Sequence, residues 1–194
     1  ITFSQNYDQI DLVGKEKLQT SQTIEHLAIC SHADSLNDVL CAFLRGALSP
    51  GDRALVFAER KALCNELVNG PLKGFSTSCR ALHGDIPQNE RTATLEAFRR
   101  KEFSVLVATD VAARGLSIKG LALVVQIGVP RDFETYVHRS GRTGRAGAIG
   151  KSVLLYTPRE SFSVQKIERN AKIVFKRFQN FKDLVKIKNV VKLE

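Results

Sequence analysis

A chain of 194 residues, 43% apolar and 25% charged, suits one globular domain with a sizeable core and is too short for two of typical size. No run of eighteen apolar residues occurs, which excludes a helical membrane span. The net charge of +9 favours a polyanionic partner, but residues 159–194 concentrate it, with ten Lys or Arg against four acids, and such a cluster equally suits a solvated helix face.

Residues 1–22 are polar and aperiodic and read as a linker from an upstream domain. The first residue is Ile, with no signal-like core after it, so a fragment or a processed chain is expected. An apolar run over 24–30 predicts a strand, and a helix over 34–48 follows, stopped by Pro50-Gly51. A second strand is expected over 53–58 and a helix over 61–68, closed by Asn69-Gly70-Pro71. A third strand over 76–82 precedes a helix over 88–100, with Asp85 and Pro87 in helix-start roles and Leu95 and Phe98 facing inward. Strands at 105–108 and 122–127, a helix at 133–140 and a strand at 152–156 complete a domain spanning 23–158. From Arg159 a helix leads into the basic tail, 159–194. Alternating strands and helices specify an α/β fold around a mainly parallel sheet.

Cys30, Cys41, Cys64 and Cys79 form no CxxC pair and have no His at zinc-ligand spacing, so free thiols in a reducing compartment are expected and no metal ligand is singled out. Gly150-Lys151-Ser152 looks like the end of a phosphate-binding P-loop. Arg145 stands where that pattern needs its first glycine, and the triplet leads into a strand instead of out of one, so the P-loop reading is rejected.

Three stretches carry chemistry. In His138-Arg139-Ser140-Gly141-Arg142-Thr143-Gly144-Arg145, Arg142 and Arg145 place two planar, permanently charged guanidinium forks on a glycine-permitted loop, which suits clamping phosphate oxygens. Leu82-His83-Gly84-Asp85-Ile86-Pro87-Gln88-Asn89-Glu90-Arg91 follows the third strand, and Ala108-Thr109-Asp110-Val111-Ala112-Ala113-Arg114-Gly115-Leu116 follows the fourth. In parallel sheets ligands bind outside the carboxyl ends of the strands, so these stretches share one rim. Gln88 and Arg91, three apart at a helix opening, can hold successive phosphates with the Gly84 amide nearby. The alternative for Arg91 is a surface pair with Glu90 or Asp85.

In order and spacing over residues 23–157, these stretches resemble the motifs of the C-terminal RecA-like domain of a DEAD-box RNA helicase. Ile10-Asp11-Leu12-Val13-Gly14-Lys15 and Val174-Phe175-Lys176-Arg177-Phe178 further resemble the flanks of the nucleolar RNA helicase II branch. The resemblance implies a RecA-like three-layer domain that acts with an N-terminal RecA-like partner domain of the same chain. It implies ATP with Mg2+, held mainly by that partner, since no P-loop or Asp-Glu-Ala-Asp run is present here and this piece alone is expected to be inactive. Arg142 and Arg145 would be the catalytic arginines on the γ-phosphate. Gly115 and Ser117 would face the nucleotide, while Asp110, Arg114, His138 and Arg139 would couple the two domains. Gly84, Gln88, Arg91 and Thr109 would hold the RNA backbone, giving sequence-tolerant binding. Phe57 matches the family's motif IV, a role compatible with a core phenylalanine at a strand end.

One position departs from the family pattern. Ser117 stands where the family usually has an aspartate that contacts ribose and steadies a finger arginine, so weakened ATP coupling is expected. The alternative to an unwinding enzyme is therefore a catalytically weak, ATP-gated RNA clamp or scaffold. A DNA helicase or repair translocase of the same superfamily is the third reading. The apolar residues Phe162, Ile167, Ile173, Val174, Phe175 and Phe178 in the tail would pack back on the domain, dock a protein partner or form a dimer. The nucleolar resemblance points to a nucleus or nucleolus, with mitochondrion and cytoplasm as alternatives.

Overall fold

The computed structural model describes residues 23–73, 79–113, 121–144 and 149–178. Their strands are β1 (Ile24–Cys30), β2 (Ala54–Phe57), β3 (Cys79–Leu82), β4 (Val105–Ala108), β5 (Leu123–Ile127), β6 (Gly150–Tyr156) and β7 (Lys176–Phe178). The helices are α1 (Leu36–Ala47), α2 (Lys61–Asn69), α3 (Gln88–Arg99), α4 (Asp110–Ala113), α5 (Phe133–Ser140) and α6 (Ser161–Ala171). One seven-stranded sheet runs in the order β3-β4-β2-β5-β6-β1-β7, and every pairing is parallel.

Both faces of this sheet are covered, which is why its strands read as unbroken apolar runs. Alternate residues divide between the layers. Leu27, Ile29, Val56, Val107, Val125 and Val153 pack with Val39, Leu40 and Phe43 of α1 and Cys64 and Leu67 of α2. On the opposite face Leu55, Leu106 and Val124 meet Ala97 and Phe98 of α3 and Ala112 of α4. Farther along that face Ala28, Leu154 and Tyr156 meet Tyr136 of α5 and Val164 and Ile167 of α6. Each fully buried Leu, Val or Phe contributes about 1.5–3 kcal/mol. The result is the three-layer architecture expected.

Several boundaries differ from expectation for identifiable reasons. The expected strand over 76–82 is described from Cys79, and 76–78 lie outside the described residues. Asp85 does not cap α3: its carboxylate accepts from Lys61 Nζ at 2.5 Å, and Pro87 occupies the cap position. The one-turn helix α4 was not anticipated, because four residues are too few to show a period. Strand β6 begins at Gly150, two residues early, so Gly150-Lys151-Ser152 opens a strand and cannot turn phosphate into a helix. The tail also departs from helix: Lys172 turns left-handed at φ 52° and ends α6, and β7 then pairs with β1. Ile173 and Phe175 are buried, so this part of the tail packs back on the domain, while Phe162 and Val174 remain 72% and 85% exposed. All four cysteines are free thiols, and burial pushes Cys64 up to about 11.

Candidate nucleotide and RNA interface

Register aligns the functional stretches. Leu82, Ala108, Phe57 and Gln126 are successive lateral partners across β3, β4, β2 and β5. The residues that follow them, His83-Gly84, Thr109-Asp110, Ala58-Glu59 and Ile127-Gly128, therefore stand on one rim, as parallel pairing requires. Gly128 turns the chain away with φ +77°, a conformation that glycine adopts without penalty.

At this rim α5 carries His138 and Arg139, two of the residues expected to couple the domains. Asp132 caps its start by accepting from the Thr135 amide at 2.7 Å, and hydrogen bonds from Thr135 hold the Asp132 carboxyl below its ordinary value. Tyr136, Val137, Arg139 and Ser140 form the buried face, leaving His138 exposed. Arg139 donates from Nε and Nη2 to the two carboxylate oxygens of Asp110, both at 2.7 Å, while its guanidinium lies 5.2 Å from the centre of the Phe57 ring. The Arg139 side chain is only 7% exposed. A fork-to-fork pair with a carboxylate is a strong, directional geometry for an arginine, and the aromatic face adds a cation–π contact. It ties β2, α4 and α5 into one unit.

Beside this unit lies a cleft of about 540 Å³, lined in part by Asp110, Val111, Gly128, Arg131, His138, Arg139 and Arg142. Of its three acids, Glu59 is exposed and the other two are engaged in hydrogen bonds. Asp110 serves Arg139, and Glu160 accepts from Val129 N at 3.0 Å and from Thr157 N and Oγ1 at 2.8 Å. With Asp110 and Glu160 engaged, and with His138, half-buried Arg142 and Arg131 (paired with Asp132 at 2.9 Å) on its wall beside exposed Glu59, the cleft offers cationic and hydrogen-bonding partners to an anionic ligand. Sequence reasoning missed Arg131 and Glu160. The Thr-Pro-Arg-Glu run at 157–160 is a capping box and offered the signal for Glu160.

The residues expected to hold RNA are arranged differently. Gly84 is exposed after β3, and Arg91 Nη1 donates to Gln88 Oε1 at 3.1 Å across one turn of α3. Asp85 is occupied by Lys61, whose hydrogen bond holds the Asp85 carboxyl below its ordinary value, so the pairing of Arg91 with Asp85 gives way to Gln88. Thr109 is 9% exposed at the end of β4, and its amide donates to Leu82 O at 3.3 Å. None of these four lines the cleft. Arg114, Gly115, Ser117 and Arg145 lie outside the described residues. The structure thus brings together Asp110, Arg139, His138 and Arg142, with Phe57 beneath them, and separately Gln88 with Arg91.

Beneath α5 runs a buried polar chain. His26 Nδ1 and the Tyr136 hydroxyl share a hydrogen bond of 2.7 Å, and the Gln126 amide lies 3.4 Å from Ser140 Oγ and 3.5 Å from Ser152 Oγ. Burial pulls His26 down to about 4 and pushes Tyr136 up, so both are neutral near neutral pH.

The helicase conserved C-terminal domain family matches residues 33–147. The chain is 44% identical over 186 residues to the human ATP-dependent RNA helicase DDX50, covering 95% of this chain and 25% of that protein. It is 43% identical over 171 residues to nucleolar RNA helicase 2 of Rattus norvegicus, covering 88% of this chain and 22% of that one. It thus spans about a quarter of the length of the curated relatives it matches. Among solved structures, S. cerevisiae Dbp5 bound to RNA and ADP BeF3 superposes with a TM-score of 0.79 at 28% identity, over 89% of this chain and 46% of that chain. With its arginine loop, its rim motifs and its three-layer parallel sheet, this chain belongs to the helicase C-terminal domain family, as the C-terminal RecA-like domain of a DEAD-box RNA helicase.

Proposed function

We propose that this domain closes over an ATP held by an N-terminal RecA-like domain of the same protein and couples its hydrolysis to RNA binding. Arg142 and Arg145 contribute positive charge at the γ-phosphate, where negative charge spreads during phosphoryl transfer. The P-loop and the Mg2+ ligands belong to the other domain, so this chain alone does not turn ATP over. Gly84, Gln88, Arg91 and Thr109 hold the RNA sugar-phosphate backbone, which carries no base identity, so binding is sequence-tolerant and unwinding is local. The observation that carries this reading is the Asp110–Arg139 pair on Phe57, which fixes α5 so that His138 and Arg142 line one cleft.

The test is ATP hydrolysis by the full-length protein with and without single-stranded RNA, beside an Arg142→Ala version. RNA stimulation that vanishes in the variant supports the reading; equal stimulation in both overturns it. The relatives' names favour a nucleolar site of action, which imaging of the tagged full-length protein would test. Ser117 favours a second reading, an ATP-gated clamp with little unwinding. Under it, Ser117→Asp lowers the Michaelis constant for ATP and raises strand displacement. Unchanged values leave the helicase reading alone in place.

A further inference from the structure

The turn that joins β3 to α3 is held by α2, a helix that belongs to none of the three motif stretches. Lys61 and Asn65 lie one turn apart on α2, four positions from each other and so on one face. Lys61 Nζ pairs with Asp85 at 2.5 Å, and Asn65 Oδ1 lies 3.0 Å from His83 Nε2. The two contacts differ in weight. Both side chains of the Lys61–Asp85 pair are more than half exposed, so water screens it and it contributes little. The His83 ring is buried, and an amide oxygen beside Nε2 calls for the proton there. Its other nitrogen, Nδ1, is buried with no partner among the described residues. Asn65 is therefore the hydrogen-bond partner that fixes how the ring sits.

The residue after His83 is Gly84, and nothing among the described residues requires a glycine there. A Cβ at 84 would meet no atom within 4 Å, and the backbone φ is not positive. Glycine without an internal reason marks a close approach from outside. The Gly84 amide donates to no described residue. His83 O accepts from Ile86 N at 3.2 Å, inside the turn. In a planar trans peptide the N–H points opposite to the C=O, so the Gly84 N–H faces out of the turn. We propose that Asn65 is a positioning residue for RNA binding: by holding the His83 imidazole it fixes the His83–Gly84 peptide, and with it the amide that meets a phosphate oxygen. The inference rests on the reading that Gly84 grips the RNA backbone, and adds that α2 sets the direction of that grip.

The experiment uses the full-length protein with ADP–beryllium fluoride. Affinity for a fluorescent single-stranded oligouridylate is read by anisotropy for Asn65→Leu, Gly84→Ala and the Asn65→Leu/Gly84→Ala double variant, well below their melting temperatures. Freeing the imidazole is expected to weaken RNA binding by Asn65→Leu about three- to tenfold. In hydrolysis assays the same variant raises the RNA concentration for half-maximal stimulation more than it lowers turnover at saturating RNA. Gly84→Ala, whose methyl stands where the phosphate approaches, weakens binding at least as much, and adding Asn65→Leu to it brings little further loss. Should Asn65→Leu not fold, as read by its melting temperature, Asn65→Ala removes the same amide and carries the same expectation. Wild-type affinity in Asn65→Leu, or its full loss repeated in the Gly84→Ala background, overturns the positioning role while leaving Gly84 as an RNA contact. Wild-type affinity in Gly84→Ala overturns that contact instead, and the positioning role with it.

Discussion

The cleft beside α5 and the opening of α3 both carry arginines, yet they hold them by opposite means. Arg139 is buried, bidentate to Asp110 and stacked on Phe57, and its neighbours on α5 inherit that rigidity. Among the described residues Arg91 is tied to Gln88, one turn earlier on its own helix, by a hydrogen bond to a neutral acceptor. The first arrangement preorganises a site whose geometry must be right before charge develops. The second can exchange its partner for a phosphate at little cost, because the bond it gives up contributes little on an exposed surface. The proposed roles, alignment of a phosphate at one place and gripping of a backbone at the other, would place different demands on the same side chain.

Breaking the rigid side should show the larger effects. Under the proposed arginine-finger role, Arg142→Ala in the full-length protein is expected to lower RNA-stimulated hydrolysis by about a thousandfold or more. A loss below about tenfold would reduce Arg142 to a binding contact. Asp110→Ala leaves the Arg139 charge buried without its partner and is expected to cost about 3 kcal/mol of stability. That loss lowers the melting temperature by about 6–12 °C for a chain of this size. A melting temperature unchanged from wild type would show that the pair is dispensable to the fold.

The polar chain under α5 gives a pH test of the same region. The folded-state pKa of His26 lies near 4, below the 6.5 of an ordinary histidine, so the unfolded chain takes up the proton first as pH falls. Stability is therefore intact above pH 6.5 and is lost toward pH 4, by about 3 kcal/mol. Denaturant titrations of this domain at several pH values should show a steeper acid loss for wild type than for His26→Gln; parallel curves would remove His26 from the account. The smallest structural effect belongs to the adaptable side. Arg91→Ala should barely move the melting temperature while weakening RNA binding, and it should reduce the slope of log affinity against log salt by about 0.7. A large stability loss with an unchanged salt slope would make Arg91 a structural residue after all.

Much of this was legible in the chain. β1, β4 and α5 fall where apolar runs and periodicity put them, because strands covered on both faces leave an uninterrupted apolar signature. The rim follows from the same argument, since motifs directly after parallel strands must share an edge. What the residues could not announce were pairings made across the fold. Asp110 and Arg139 are 29 positions apart, and nothing local selects Phe57 as the ring beneath them. The closeness of Gly144 and Gly150 is likewise set by where β1 and β6 begin. β7 escaped because Lys176-Arg177-Phe178 has neither apolar character nor alternation; its place comes from Glu168, which accepts from Phe175 N at 2.7 Å and pairs with Arg177.

That short strand has a bearing on how the molecule keeps to itself. β1 is apolar from Leu27 to Cys30, and without β7 its outer row of amides and carbonyls would face solvent as a template for any other extended chain. β7 covers Leu27, Ala28 and Ile29 with three residues, of which Lys176 and Arg177 are exposed and charged. Among the described residues β7 is the outermost strand, and its brevity and charged side chains, Lys176 beside Glu25 and Arg177 beside Glu168, make it a poor template for a further extended chain.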